Sequence, residues 1–168
     1  CIRTPNEGMV VNSANARAEN ARKMVMELLV ADQPPRDAAH DPDSDLWHYA
    51  ETQDVEASRF PAKHAPAPDS SHPAIAVNMD ACIQCNLCVR ACREVQVNDV
   101  IGLAGRGADA HIVFDLDDDM GASTCVGCGE CVQACPTGAL MPKRLLDESQ
   151  KLAITPDRHV DSVCPYCC

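Results

Sequence analysis

Eight of the twelve cysteines fall into two runs of the same spacing, and this spacing is the main chemical signal in the sequence. The runs are Cys82-x2-Cys85-x2-Cys88-x3-Cys92 and Cys125-x2-Cys128-x2-Cys131-x3-Cys135-Pro136. Short spacers in a looping backbone let three successive thiolates point towards one small object, while the fourth thiolate must come from elsewhere. A 4Fe-4S cube requires this arrangement, so the sequence predicts two such clusters.

The same spacing predicts which cysteines belong together. In the C-x2-C-x2-C-x3-C-P run of bacterial ferredoxins, the last cysteine ligates the other cluster. The first predicted ligand set is therefore Cys82, Cys85, Cys88 and Cys135. The second predicted ligand set is Cys125, Cys128, Cys131 and Cys92. Such crossing brings two clusters close together through shared backbone, which favours electron transfer between them over two isolated structural sites.

Two other uses of clustered cysteines predict different patterns. Structural zinc sites often contain C-x2-C pairs, but they seldom use three evenly spaced cysteines with a fourth before a proline. Disulfide frameworks distribute their cysteines through loops and belong to oxidising compartments. Iron-sulfur ligation in a reducing cytoplasm is therefore the favoured interpretation. The six histidines are not spaced with cysteines, so none is assigned to metal.

The two runs belong to an internal repeat. Asp80 to Cys92 aligns with Ser123 to Cys135 at a separation of 43 residues, from position 82 to position 125. Within this alignment Val89 matches Val132. Duplication is the direct interpretation, and it predicts two halves of similar structure.

Short elements are predicted to precede the runs. Met9 to Val11 predicts a strand, and a helix capped by Asn12 or Ser13 should follow it. An apolar stripe on this helix is expected to pack in a core and consists of Met24, Val25, Leu28 and Leu29. Leu46 to Ser58 predicts a second helix, and the prolines from Pro61 to Pro73 predict a surface linker.

Between the runs, two segments predict a β-hairpin. Asp99 to Leu103 and Ala110 to Phe114 have strand composition and are joined through Gly105-Arg106-Gly107. The predicted fold class is therefore α+β. It comprises a bacterial-type ferredoxin module for two 4Fe-4S clusters with a small β-hairpin insertion, preceded by a helical linker.

Composition argues against several classes of partner. The chain has 168 residues and a net charge of -11, the wrong sign for binding nucleic-acid phosphates or anionic lipid. Its longest apolar stretch, Met24 to Ala31, is interrupted by Glu27, so no bilayer span is predicted. Aromatic residues make up only 3% of the chain. Bound metal is therefore expected to supply part of the folding free energy.

The sequence also resembles a known family. The resemblance is carried by Cys1-Ile2-Arg3-Thr4-Pro5 with Glu7-Gly8-Met9-Val10-Val11, by Met24 to Leu29, by Asp80 to Cys92, by Gly105-Arg106-Gly107, by Glu130 to Leu140, and by the segment from Val160 to Cys167, which contains Cys164-Pro165-Tyr166-Cys167. These segments resemble the N-terminal iron-sulfur region of the alpha subunit of molybdenum- or tungsten-dependent, NAD-linked formate dehydrogenases. Since the chain starts at Cys1 and stops at Cys168, we expect this region to be truncated at both ends.

The resemblance implies four regions. Residues 1–12 are the tail of a plant-type 2Fe-2S domain of β-grasp fold, and residues 13–74 are a helical and proline-rich connection. Residues 75–145 are the two-cluster ferredoxin domain, and residues 146–168 are a linker and the start of a molybdopterin domain. Cys1 is implied to ligate the 2Fe-2S cluster. Cys164 and Cys167 are implied to ligate a further 4Fe-4S cluster.

Two departures from the family are visible. The family often has a cluster ligated by one His and three Cys after the first helix, but residues 31–45 contain no Cys, so that cluster should be absent. Cys168 follows Cys167 where the family has Gly. Either the sequence differs here, or residues are missing between the two and Cys168 is the third ligand.

The resemblance also implies a function. The parent enzyme oxidises formate, or reduces carbon dioxide, at a molybdenum or tungsten bis-pterin, and it exchanges electrons with FMN and NAD through iron-sulfur clusters. The implied partners are the rest of the catalytic subunit and a flavin- and NAD-binding subunit. Alternatives are the similar region of an [FeFe] hydrogenase or of the NADH dehydrogenase large subunit, a free ferredoxin-like carrier, and a zinc-stabilised interaction module. The chain itself has no acid-base dyad or phosphate loop, so no catalytic residue is predicted.

Overall fold

The computed structural model describes residues 4–62 and 66–154. Its α-helices are α1 (Ala16–Val30), α2 (Asp45–Thr52), α3 (Leu87–Arg90) and α4 (Glu130–Ala134). Its strands are β1 (Ile75–Val77), β2 (Ile101–Ala104), β3 (His111–Phe114) and β4 (Leu140–Pro142). Single turns of 3-10 helix occur at Arg36–Ala38, Met79–Ala81, Gly107–Asp109 and Lys143–Leu145, and a π-helical turn occurs at Ala91–Val95. Within these residues, no helix has the length and apolarity needed to cross a membrane.

The first part of the chain forms a helical unit with its own small core. The Asn15 side chain caps α1 by accepting a hydrogen bond from the Ala18 amide at 3.0 Å. The core of this unit joins the end of α1 to α2 and consists of Val30, Ala39, Trp47, Ala50 and Val55, with Met26 packed against it. Trp47 is 2% exposed and is the largest side chain in this cluster. Burial of this one aromatic residue therefore joins the end of α1 to α2.

Several predictions for this part of the chain are wrong. Met9 to Val11 is not a strand, because no described strand pairs with it. The α1 cap is Asn15, while the Asn12 side chain accepts a hydrogen bond from the Ala14 amide. The predicted buried stripe is largely exposed, at 47% for Met24, 56% for Val25 and 51% for Leu28. The second helix ends at Thr52. Asp54, with φ of 52°, turns the chain there.

Two small antiparallel sheets make up the β structure of the described residues. β2 and β3 form the predicted hairpin, in which Ile101 faces Phe114 and Ala104 faces His111. β1 pairs with β4, with Ile75 opposite Pro142 and Val77 opposite Leu140. The sequence did not predict this second pairing, which joins a strand before the first repeat to a strand after the second.

The larger core lies between these sheets and the two cysteine-bearing helices. Its buried residues are Ile75, Val77, Cys88, Cys92, Val100, Ile101, Ile112, Phe114, Met120, Cys131 and Leu140. Three of these are cysteines, so the thiols are part of the packed interior. Metal bound by them would replace side-chain volume that a small domain otherwise supplies with apolar residues.

Candidate metal centres

The first cavity contains the first predicted ligand set. Cys82, Cys85, Cys88 and Cys135 line it together with apolar groups that include Met79, Ile83, Ile112 and Leu140. The unfilled space measures about 320 Å3, part of which is open to solvent. Cys88 is buried, whereas Cys85 is exposed. The structure thus brings the fourth cysteine of the second run to the first three cysteines of the first run.

The second cavity repeats this arrangement with the roles of the runs exchanged. It is lined by Cys92, Cys125, Cys128 and Cys131, and by Ile75, Val100, Ile101 and Val126 among others. Its unfilled space measures about 310 Å3, close to that of the first cavity. All eight cysteines are free thiols, so neither cavity is closed by a disulfide.

Left-handed backbone positions shape both cysteine loops. In the first run Gln84 and Asn86 have φ of 56° and 61°, and in the second run Gly127 and Gly129 have φ of 68° and 83°. Each pair encloses the second cysteine of its run and precedes α3 or α4. Glycine adopts this region at little cost, whereas other residues do so at a cost of roughly 1–2 kcal/mol. The first loop therefore has a more strained backbone than the second.

Hydrogen-bond donors point at the sulfur atoms. The Gln84 amide lies 3.4 Å from Cys82 Sγ, and in the second run the Gly127 amide lies 3.4 Å from Cys125 Sγ. The Val100 amide lies 3.4 Å from Cys92 Sγ. Donors of this kind stabilise thiolate charge, and they are among the features that set cluster reduction potentials.

Burial strongly affects the acidity of the thiols. It raises the pKa of Cys88 to about 12 and the pKa of Cys131 to about 12, with neighbouring cysteines adding to the effect. Burial also raises the pKa of Cys82 and of Cys125. A thiolate in these positions needs a positive partner, and iron supplies one when it displaces the thiol proton. Soft sulfur donors in an apolar cavity are a donor set that suits iron-sulfur clusters.

A cluster and a single ion place different demands on these side chains. Among residues 4–62 and 66–154, no group of three or more His, Cys, Asp or Glu side chains is positioned to hold one metal ion. In a cubane each thiolate binds a different iron, so its four ligands surround the cube without converging on one point. Four thiols spread around an apolar cavity therefore fit the larger object.

The helical unit is bonded to residues beside two cysteines of the first cavity. Gln33 Nε2 donates to the Ala81 carbonyl at 3.0 Å, directly before Cys82. The Leu46 amide donates to the Pro136 carbonyl at 3.0 Å, directly after Cys135. These hydrogen bonds lie beside Cys82 and Cys135, so the helical unit helps to hold both ends of the first ligand set in place.

A buried histidine adds a third contact of this kind. His40 Nε2 lies 2.9 Å from the Asp80 carboxylate, and Nδ1 lies 2.7 Å from the Gln150 carbonyl. The hydrogen bond to Asp80 raises the pKa of His40, although burial opposes it. No spacing in the sequence identified this pair, since its members are 40 residues apart.

His72 supports the loop of the second cavity. Its Nδ1 accepts hydrogen bonds from the amides of Ala74 at 3.2 Å and Ile75 at 3.1 Å, so the neutral ring carries its proton on Nε2. Burial lowers the pKa of His72. The ring lies behind Gly127, where an added Cβ would be 3.5 Å from it. His72 is thus a buried residue packed beside this loop.

The remaining predicted ligands are Cys1, Cys164, Cys167 and Cys168. All four lie outside the described residues. Their proposed roles stay predictions from the sequence resemblance.

Comparison with known proteins defines the class of the central region. Residues 81–139 match the family of 4Fe-4S dicluster domains. This range contains all eight cysteines of the two cavities. The chain therefore carries a ferredoxin-like iron-sulfur dicluster domain, built here from short helices and small antiparallel sheets.

Several curated proteins are similar over most of this chain. The NADP-reducing hydrogenase subunit HndD of Solidesulfovibrio fructosivorans is 30% identical over 172 residues, which is 95% of this chain and 28% of that protein. A subunit of an NADH-quinone oxidoreductase of Rhizobium meliloti (strain 1021) is 32% identical over 178 residues, 99% of this chain and 20% of that protein. A Staphylococcus haemolyticus (strain JCSC1435) protein, whose name proposes a formate dehydrogenase, is 25% identical over 144 residues, 84% of this chain and 15% of its own length.

A solved structure shares the fold. The crystal structure of an NAD+-reducing [NiFe]-hydrogenase in the H2-reduced state matches 78% of this chain and 57% of its own, with a TM-score of 0.67 and 24% identity. The chain spans between 15% and 28% of the length of the curated relatives described above. It thus corresponds to one region of proteins that are much longer.

Proposed function

We propose that this chain is the iron-sulfur electron relay of a larger oxidoreductase subunit. The observation that carries the proposal is the pair of cavities, each lined by three cysteines of one run and one of the other. Bound 4Fe-4S clusters would supply one-electron transfer. The chain's own residues hold the clusters, donate hydrogen bonds to their thiolates and surround them with apolar side chains. The ligand sets are Cys82, Cys85, Cys88 and Cys135, and Cys92, Cys125, Cys128 and Cys131.

The proposed parent is a cytoplasmic, NAD-linked formate dehydrogenase with molybdenum or tungsten bis-pterin and FMN. This is supported by Cys164-Pro165-Tyr166-Cys167 after the second run, and by the relative whose name proposes a formate dehydrogenase. Residues 75–145 would be the two-cluster domain between residues 13–74 and residues 146–168. Cys1, Cys164 and Cys167 would ligate flanking clusters, with Cys168 as a further candidate. The partners would be the rest of the catalytic subunit and a flavin- and NAD-binding subunit.

A second candidate parent is a hydrogenase or NADH dehydrogenase subunit. It is favoured by the higher identity, 30% and 32%, to relatives with those names, which match 95% and 99% of this chain. Both parents use the central region in the same way, as a relay. Metal analysis of the full-length protein separates them, since molybdenum or tungsten with formate-dependent NAD reduction identifies the first. Hydrogen- or NADH-dependent reduction without either metal would exclude it.

Paired substitutions test the proposed ligand sets in the full-length protein. In one variant, Cys82→Ala is combined with Cys135→Ala. If these two cysteines ligate the same cluster, only that cluster is lost. About half of the cubane EPR intensity and of the iron bound by this region then remains. Cys82→Ala with Cys92→Ala is the matched control, because it also removes two thiols but from both proposed sets. This control should lose both clusters. The opposite result, in which the control keeps one cluster, would mean that each run ligates its own cluster.

Chemical analysis decides between iron and zinc. The proposal requires two cubanes from this region, with equal iron and acid-labile sulfide and visible absorbance that bleaches on reduction. A colourless protein containing zinc at these cysteines would refute it.

A further inference from the structure

Thr137 is a buried hydroxyl beside a proposed ligand. It lies two positions after Cys135, is 3% exposed and lines the first cavity. Its Oγ1 lies 3.7 Å from Cys135 Sγ, within reach of a hydrogen bond to sulfur. A hydroxyl this deeply buried requires hydrogen-bond partners, and the cysteine sulfur is one of the two that it contacts among the described residues.

The second partner fixes the direction of the hydrogen bond to sulfur. The Ala139 amide donates to Thr137 Oγ1 at 3.4 Å, so the oxygen already acts as an acceptor there. Its own proton remains available, because a hydroxyl donates one hydrogen bond in addition to those it accepts. A cysteine that ligates iron has no proton to donate. The hydroxyl must then donate to Cys135 Sγ.

We propose that Thr137 is a positioning residue that raises the reduction potential of the first cluster through this hydrogen bond. The inference rests on the proposed function, since it requires a cluster at Cys135. Reduction adds negative charge that is shared with the thiolates, and a donor at the sulfur stabilises the reduced state more than the oxidised state. The apolar lining of the cavity strengthens this effect, because little water competes there.

The internal repeat makes the effect specific to one cluster. The position equivalent to Thr137, 43 residues earlier and just after the first run, is Glu94, which is exposed and bonded to Arg90 at 3.0 Å. Cys92 instead receives the backbone amide of Val100. A side-chain substitution can therefore remove a donor from the fourth ligand of the first cluster, while the second cluster keeps its own.

An EPR-monitored redox titration of the full-length protein tests this inference. Thr137→Val keeps the side-chain volume but removes the proton, and we expect the potential of the first cluster to fall while those of the other clusters are unchanged. The expected shift is about tenfold in the equilibrium constant for reduction, which is about 59 mV for one electron. Thr137→Ser retains the hydroxyl and should keep the original potential. Unchanged potentials in Thr137→Val, or equal shifts in both variants, would overturn the inference.

A measurement on the unmodified protein tests the inference even if Thr137→Val does not fold. Proton ENDOR of the reduced first cluster should show an exchangeable coupling that is lost within minutes of transfer to deuterium oxide, because hydroxyl protons exchange faster than hydrogen-bonded amides. Absence of any rapidly lost coupling would overturn the inference. Failure of the proposed function is distinct, since the unmodified protein would then lack the cubane EPR signals that depend on the cysteines at positions 82–92 and 125–135.

Discussion

Replacing His40 with Gln should speed the release of iron from the first cluster, most strongly at low pH. In the folded chain both ring nitrogens of His40 face oxygen acceptors, the Asp80 carboxylate at 2.9 Å and the Gln150 carbonyl at 2.7 Å. Only the protonated ring can donate to both, which is why the hydrogen bond to Asp80 raises the pKa of His40. Lys151 is the nearby positive group and opposes this effect. Asp80 lies two positions before Cys82, so the pair braces the first ligand.

The size of the effect follows from burial. The side chains of His40 and Asp80 are 10% and 23% exposed, so solvent screening is limited. A hydrogen bond to a charged group contributes about 1.5–3 kcal/mol, and we take about 2 kcal/mol for this partly buried pair. That change multiplies the population of the locally opened state by about 30.

The pH dependence follows from the raised pKa. A group whose pKa in the folded state exceeds its ordinary value of 6.5 stabilises the fold fully below that pH. This stabilisation is lost as the pH rises through the folded-state pKa, because the folded protein then gives up the extra proton that the unfolded chain has already released. At high pH the neutral ring keeps one hydrogen bond to Asp80, so a smaller effect of the substitution remains.

Chelator-driven iron release measures this local opening. With anaerobic full-length protein, we expect His40→Gln to release first-cluster iron about 30-fold faster at pH 6 and only a few-fold faster at pH 9. His111→Gln is the control, because that ring is 54% exposed and lies 3.9 Å from Asp117. It should release iron at the original rate. Equal acceleration of His40→Gln at both pH values would refute the ion-pair argument.

Two further predictions concern the backbone and the helical core. Val97 has φ of 57° and is 79% exposed, so Val97→Gly should relieve strain and stabilise the protein by about 0.5–1 kcal/mol. Val95→Gly, in the π-helical turn, is the control and should instead destabilise the protein by about 1 kcal/mol. The thermal midpoint for loss of cluster absorbance, measured anaerobically, compares the two variants. A midpoint for Val97→Gly below that of the unmodified protein contradicts the prediction. Trp47→Ala should lower the stability of the helical unit by about 3–5 kcal/mol. The core of this unit is separate from the core around the cysteines. Amide hydrogen exchange should then show lost protection in α1 and α2 but not in the sheet of β1 and β4. Lost protection in the helices and in the sheet would contradict the prediction.

Features set by local chemistry were predictable from the sequence. The ferredoxin-type spacing of the two runs predicted the two groups of cysteines that line the cavities. Three cysteines of each group are close in sequence, and the ferredoxin pattern takes the fourth from the other run. The hairpin was predicted from its glycines for a physical reason. Gly105 has φ of 73°, and any side chain there would overlap the Asp109 carbonyl.

Features set by distant contacts were not predictable. β1 and β4 are only three residues long and largely buried, so they show no alternation that would mark them as strands. The stripe at Met24, Val25 and Leu28 has helical spacing, but spacing alone cannot show which part of a helix meets a core. α1 contacts the helical core through Met26 and Val30, near its C-terminal end. The bracing pair of His40 and Asp80 likewise depends on how the helical unit docks.

The exchange of one cysteine between the two cavities has a consequence for chain connectivity. Clusters bound as proposed would act as iron cross-links between residues 82–92 and residues 125–135. The polypeptide between these segments passes through the exposed hairpin turn at Gly107–Asp109. A protease cut at this turn would break the backbone but leave the two halves joined at both cubes. Once the clusters are in place, the peptide link is therefore no longer the only bonded connection between the repeats.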